Sequence, residues 1–167
     1  DSQAKTTYLK DYAPPEFCIK KTSLTFERYE DKTLVTSHIE FFRNKNFLKN
    51  PTNSLLLDGQ DLDLESICLN DVELKPEQYS QKEESLAIPN LNEILSDSNE
   101  KFTMTCVVKI KPQDNTSLEG LYKSKDKFCT QSEAEGFRKI TYYLDRPDVM
   151  TSFTTKITDD KEKYPVL

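Results

Sequence analysis

Residues 101–111 read KFTMTCVVKIK, and their pattern decides the fold class. Phe102, Met104, Cys106, Val108 and Ile110 are apolar, with Thr103, Thr105, Lys109 and Lys111 standing between them. Successive side chains on an extended strand point to opposite faces, so this period of two predicts a half-buried antiparallel strand with one wet face. The same period recurs toward the N-terminus. In residues 16–29, EFCIKKTSLTFERY, Phe17 and Ile19 alternate with polar neighbours, as do Leu24 and Phe26, which fits two short strands or one bent strand. Asp31-Lys32 turns the chain, and Thr33 to Phe42 returns with Val35, Ile39 and Phe41 on one face and His38 on the other, which predicts a hairpin. Before this, residues 1–13 form a polar arm that Pro14-Pro15 forces into extended geometry.

Residues 44–53 hold four Asn and one Pro and read as a loop. Leu55-Leu56-Leu57 followed by Asp58-Gly59 predicts a buried strand ending in a tight turn. Leu62 and Leu64 then share one parity and Ile67 and Leu69 the other, which requires a bulge or a turn near Glu65-Ser66. Asn70-Asp71 is a two-residue turn into Val72 and Leu74. Residues 78–84 are polar, and Leu86, Ile88 and Pro89 suggest a short strand that stops at an edge.

On the C-terminal side, residues 116–127 read as a connecting segment. Residues 134–142 have the composition for two helical turns, weakened by β-branched Ile140 and Thr141 and ended by Pro147. Phe153, Thr155 and Ile157 alternate as another strand, and Tyr164 to Leu167 begins a further one. Amphipathic helical spacing is nowhere sustained. The expectation is an all-β fold, residues 1–167 forming a single β domain: an antiparallel, two-sheet, saddle-like sandwich with at most one short helix.

Composition narrows the partners. The net charge is −6 and the pI is near 5.0, whereas phosphate binding needs a basic stripe, so neither nucleic acid nor an anionic membrane is an expected partner. No segment approaches the roughly 18 apolar residues of a membrane span, and the opening DSQAKTTYLKDY lacks the apolar centre of a signal peptide. The chain does not begin with Met, which leaves a removed leader open. Cys18, Cys68, Cys106 and Cys129 lie far apart, in surroundings that read as reduced thiols of a cytoplasmic protein; their even number leaves disulfides open.

Most catalytic signatures are absent. A single histidine, His38, excludes the HExxH zinc helix, no cysteine pair has zinc-binding spacing, and three glycines supply neither a phosphate-cradling loop nor a nucleophile elbow. By itself the chain reads as a non-enzyme without a metal site. Polar chemistry is nevertheless dense in residues 130–149, TQSEAEGFRKITYYLDRPDV, which hold Glu133, Glu135, Arg138, Asp145 and Arg146 around Gly136 and a Tyr pair. A charged loop of this kind is either a site or a salt-bridged connection.

The strings EGLYKS (119–124), CTQSEAEGFR (129–138) and TYYLDRPDV (141–149), with Phe153 to Ile157 and, upstream, Asp11-Tyr12, Leu57-Asp58-Gly59 and Asn70-Asp71, resemble the N-terminal domain of the bacterial aminopeptidase N family, the alanyl aminopeptidases among the HExxH zinc metallopeptidases. The resemblance covers nearly the whole chain. It implies a larger hydrolase in which this β domain packs on a catalytic domain carrying HExxH and a further Glu ligand, neither of which is in this chain. Zinc would belong to that catalytic domain, and the chain alone is expected to be inactive. The implied substrates are peptides with a free N-terminus. Gln131 and Glu133 are implied to reach the active site, Glu133 binding the free α-amine and Gln131 helping to shape the pocket for the first side chain. The chemistry agrees, because an exopeptidase must count from the chain end, and a fixed carboxylate against an ammonium does so directly. Glu135, Arg138, Asp145 and Arg146 read as an ion-pair network holding the loop, and Tyr142 and Tyr143 as packing residues. The alternative from another class is a stand-alone β-sandwich module that binds protein or carbohydrate.

Overall fold

The computed structural model describes residues 8–47, 51–95 and 100–164. Its largest element is a sheet of β1 (Phe17–Arg28), β2 (Thr33–Arg43), β4 (Asp63–Leu69), β5 (Val72–Glu73), β8 (Lys101–Ile110) and β11 (Ser152–Thr158), in the order β11-β1-β2-β8-β4-β5. A second sheet joins β3 (Ser54–Asp58), β6 (Ser80–Lys82) and β7 (Ser85–Pro89) in the order β3-β7-β6. A separate hairpin is made by β9 (Gly120–Ser124) and β10 (Lys127–Gln131). Among the described residues the one α-helical turn, α1, runs Leu91–Leu95.

The strand at 101–111 is central, with β2 on one side and β4 on the other, and Phe102, Met104, Cys106, Val108 and Ile110 are all buried. Val35, Ile39 and Phe41 of β2 face the same core, and Phe102 stacks on Phe41 at 5.1 Å and meets Phe17 edge-on at 5.5 Å. Leu55, Leu57, Leu86 and Ile88 of the smaller sheet belong to the same core cluster. Full burial of one such side chain contributes about 1.5–3 kcal/mol.

Two strands resolve their parity conflicts by bulging. In β1 the register shifts between Ile19 and Lys21, so that Phe17 and Ile19 before the shift and Leu24 and Phe26 after it are all buried. The stretch is one strand. In β4 the shift falls between Leu64 and Ser66, which turns Ile67 and Leu69 inward beside Leu62. Asn70 and Asp71 both have positive φ, 45° and 65°, as a two-residue hairpin turn requires.

Four segments differ from the sequence expectation. Pairing is antiparallel throughout the described sheets except between β1 and β11, which run parallel; side-chain alternation carries no information about strand direction. Residues 116–127 hold β9 and the start of β10 rather than a plain connection, and residues 78–84 contain the fully exposed β6. Residues 134–142 form one 3-10 turn, Phe137–Lys139, instead of two helical turns. The chain there instead places Ile140 to Leu144 in the core and pairs Tyr143 with Asp58 through two backbone hydrogen bonds of 2.8 and 3.0 Å. The expected final strand lies, beyond Tyr164, outside the described residues.

Candidate functional site

The loop of interest begins where β10 ends. Gln131 is the last residue of the strand and sits opposite Gly120 of β9. The chain then turns through Ser132 to Gly136, where the Gly136 N–H donates to the Ser132 carbonyl at 2.9 Å; the Glu133–Ala134 peptide is cis. Gly136 is buried so closely that any Cβ would overlap the Gln131 carbonyl oxygen. Gly120 adopts φ 71°, and a Cβ on it would stand 2.7 Å from that of Lys139. Two glycines thus let the hairpin base and the loop touch backbone to backbone, which no other residue permits here.

The far end of the loop is staked to the body of the protein. Arg138 donates from Nε to Asp145 Oδ2 at 3.0 Å, its backbone N–H reaches the same oxygen at 3.1 Å, and Nη2 pairs with Glu135 at 3.4 Å. The Asp145 N–H in turn donates to Asp58 Oδ2 at 3.0 Å, and the Gln60 N–H to the Arg138 carbonyl at 3.0 Å. Burial holds the Asp58 carboxyl above its ordinary pKa, against the opposing pull of the Asp145 N–H and the Arg138 charge. The expected ion-pair network is present for Glu135, Arg138 and Asp145, but Arg146 is not part of it. Arg146 grips Asp148 at 2.8 and 2.7 Å and donates to the Ala13 carbonyl at 2.9 Å, so it ties down the N-terminal arm instead. Its hydrogen bonds hold the Asp148 carboxyl below the usual range. At the hairpin base, Asn115 Nδ2 donates to the carbonyls of Glu119 and Leu121, and Lys139 Nζ reaches Ser117 Oγ and Asp61.

Gln131 and Glu133 share this turn, and both side chains are exposed. Gln131 Nε2 lies 3.3 Å from the Glu133 carbonyl, so its amide steadies the turn that carries Glu133. The Glu133 carboxylate has no ion pair or side-chain hydrogen bond among the described residues, whereas Glu135 is paired with Arg138. Tyr142 and Tyr143 are buried, at 1% and 5% exposure, and serve packing. Tyr143 meets Phe137 at 4.6 Å, and Phe137 meets Phe153 at 5.7 Å. Sequence reasoning missed Asp58 and Asn115, whose roles depend on partners fixed only by the fold. A fragment of signal was present at Asp58, since Asp-Gly after a buried strand places a carboxylate at the strand's end.

Beside the loop lies an apolar groove of about 970 Å³, lined by Leu24, Phe26, Phe128, Phe137, Phe153 and Ile157 among others. Phe153 and Ile157 are about half exposed there. The described residues do not fit a zinc site. His38 Nδ1 is 2.9 Å from Thr105 Oγ1 on the wet face of the sheet, and no three His, Cys, Asp or Glu side chains converge among the described residues. No helix among them is long and apolar enough to cross a membrane.

Comparison with known proteins gives a consistent picture. The family model for the Peptidase M1 N-terminal domain matches residues 19–167. The aminopeptidase N of Escherichia coli is 44% identical over 165 residues, covering 99% of this chain and 18% of that protein. Among solved structures, Legionella pneumophila aminopeptidase A in complex with aspartic acid superposes with a TM-score of 0.84 at 29% identity, over 96% of this chain and 18% of that one. An M1 zinc metallopeptidase of Deinococcus radiodurans bound to a Tyr-Ser-Ala substrate shares the fold, with a TM-score of 0.65 at 12% identity over 85% of this chain and 32% of that one. The chain thus spans less than a fifth of the length of the E. coli relative it matches.

Proposed function

The chain belongs to the peptidase M1 family, whose N-terminal domain it carries, and from that premise we propose that it is the substrate-reading β domain of a zinc-dependent aminopeptidase acting on peptides with a free N-terminus. The observation that carries this is the placement of Glu133: an exposed carboxylate without a partner among the described residues, on a loop fixed at one end by the Gly120–Gly136 contact and at the other by Arg138 and Asp145. A carboxylate held this way meets an incoming ammonium with little reorganisation, and the charge-assisted hydrogen bond contributes about 1.5–3 kcal/mol. Glu133 binds the α-amine, and Gln131, one strand-end earlier, steadies the loop and borders the pocket for the first side chain.

The zinc of this enzyme class belongs, on this reading, to the remainder of the enzyme, since the donor set described here does not suit it. The chain alone is then inactive, and the apolar groove beside the loop is a surface the rest of the enzyme covers. A reducing, cytoplasmic setting suits four unpaired cysteines. Neither a nucleic acid nor a membrane is called for by a chain of net charge −6.

The test is Glu133→Gln in the full-length enzyme, which keeps the shape and removes the charge. We expect kcat/KM to fall by about tenfold to a hundredfold, mainly through KM. A free-amine inhibitor should lose affinity in the variant while its N-acetylated analogue is indifferent. Equal losses for both inhibitors would assign Glu133 to loop structure and overturn the reading.

A further inference from the structure

β10 delivers Gln131 to the candidate site, yet its strand hydrogen bonds go to β9 alone, and the β9–β10 hairpin is a sheet by itself. The base of β9 is tied through Asn115 and through the Lys123 N–H to the Pro112 carbonyl at 2.9 Å, so what sets β10 against the large sheet is side-chain packing. Phe128, three residues before Gln131, lies over the guanidinium of Arg28, whose Cζ is 3.8 Å from the ring centroid. The same Cζ is 3.7 Å from the centroid of Tyr164, and the two rings stand nearly perpendicular, at 76° with centroids 5.8 Å apart. The guanidinium therefore occupies the corner between them. Its Nε is paired with Asp159, and the two side chains are only 8% and 7% exposed. Arg28 is itself locked in the sheet as the last residue of β1, opposite Thr33 of β2.

We propose that Arg28 is a positioning residue for substrate recognition: through Phe128 it fixes the pitch of the β9–β10 hairpin, and with it the placement of Gln131 and Glu133. This rests on the function proposed above. A guanidinium suits the task, because its Cζ lies against both ring faces while its Nε–H bonds a carboxylate, and the compact ammonium of lysine does not combine these contacts. The buried Asp159 keeps the guanidinium from turning outward to water, so the corner stays filled.

Removing Arg28 alone would leave Asp159 buried without its counter-charge, so two other variants carry the test in the full-length enzyme. Phe128→Leu removes the ring and spares the ion pair; Arg28→Met with Asp159→Asn removes the cation and its counter-charge together. Hydrogen exchange at the amides of residues 128–131 is measured with KM, kcat and the affinities of a free-amine inhibitor and its N-acetylated analogue, and Glu133→Gln is run alongside. In both variants we expect exchange to accelerate by about tenfold, KM to rise by about three- to tenfold with kcat within about twofold, and the free-amine inhibitor alone to weaken. Unchanged exchange overturns the proposal whatever Glu133→Gln does. Faster exchange with unchanged KM, while Glu133→Gln does raise KM, makes Arg28 a structural tie only and also overturns it. If Glu133→Gln leaves KM and amine preference untouched, the reading of the site itself falls and this proposal falls with it, an outcome distinct from the other two.

Discussion

Glu133 and Glu135 lie two residues apart on one turn and are treated differently by the fold. Glu135 is consumed by Arg138 at 3.4 Å, and Glu133 is presented to solvent. What holds that presentation is backbone contact at Gly136, so Gly136→Ala must push the Gln131 carbonyl away. We expect a loss of about 1–3 kcal/mol in thermal or denaturant unfolding, the range for overpacking a tight site. Asp58 provides a pH-dependent check. Burial raises its folded-state pKa above the unfolded value near 3.8, so its stabilising contribution is complete below that value and is lost as pH rises through the folded pKa. Asp58→Asn keeps an acceptor for the Asp145 N–H and removes the charge. The variant should match the parent in acid and gain on it toward neutral pH in unfolding scans; a deficit that grows toward neutral pH would show that the Arg138 attraction outweighs burial. The thiols give a third check: burial pushes Cys106 up to about 12, so in the native state it should react last, and after denaturation without reductant four thiols should titrate. At this scale the sequence revealed little of the site unaided. Glu133 stands out only through the resemblance of the TQSE string, because an exposed glutamate carries no local signature. Asp58 was hidden because its partner, Asp145, is 87 positions away.

The strands were legible wherever one face is dry. Alternation exposed β8 and β2, and the parity switch after Leu64 pointed to a bulge or a turn where the register shift falls, since a buried face forces the register to be corrected; for β1 the alternation left two short strands or one bent strand, and only the shift between Ile19 and Lys21 decides for one. The Asn70-Asp71 turn was legible because few residues tolerate positive φ in succession. Asp71→Gly should relieve the 65° φ at the second turn position and stabilise the protein by about 0.5 kcal/mol, read as a small rise in unfolding midpoint. The hairpin β9–β10 and strand β6 were not legible. β6 is exposed along its whole length, and β10 has no fully buried residue, so neither shows a hydrophobic period. The direction of β11 escaped for a different reason: alternation is the same in parallel and antiparallel strands.

At the scale of the molecule, an exposed strand and a groove rich in aromatic residues sit beside the loop that carries Glu133. If the rest of the enzyme covers this groove, Phe153 and Ile157 become interior residues in the full-length protein. Phe153→Glu should then destabilise it by about 2 kcal/mol or more, because a charge would be buried without a partner, and unfolding of the full-length variant checks this. On the function proposed above, this β domain supplies the carboxylate that reads the substrate's amine. The most direct measurement is a structure of the full-length enzyme with an amino acid or free-amine inhibitor bound, in which the separation of the ligand nitrogen from the Glu133 carboxylate is read. Direct hydrogen-bond distance, about 2.6–3.2 Å, is expected. A bound amine held by other groups, with Glu133 pointing away into solvent, would contradict it.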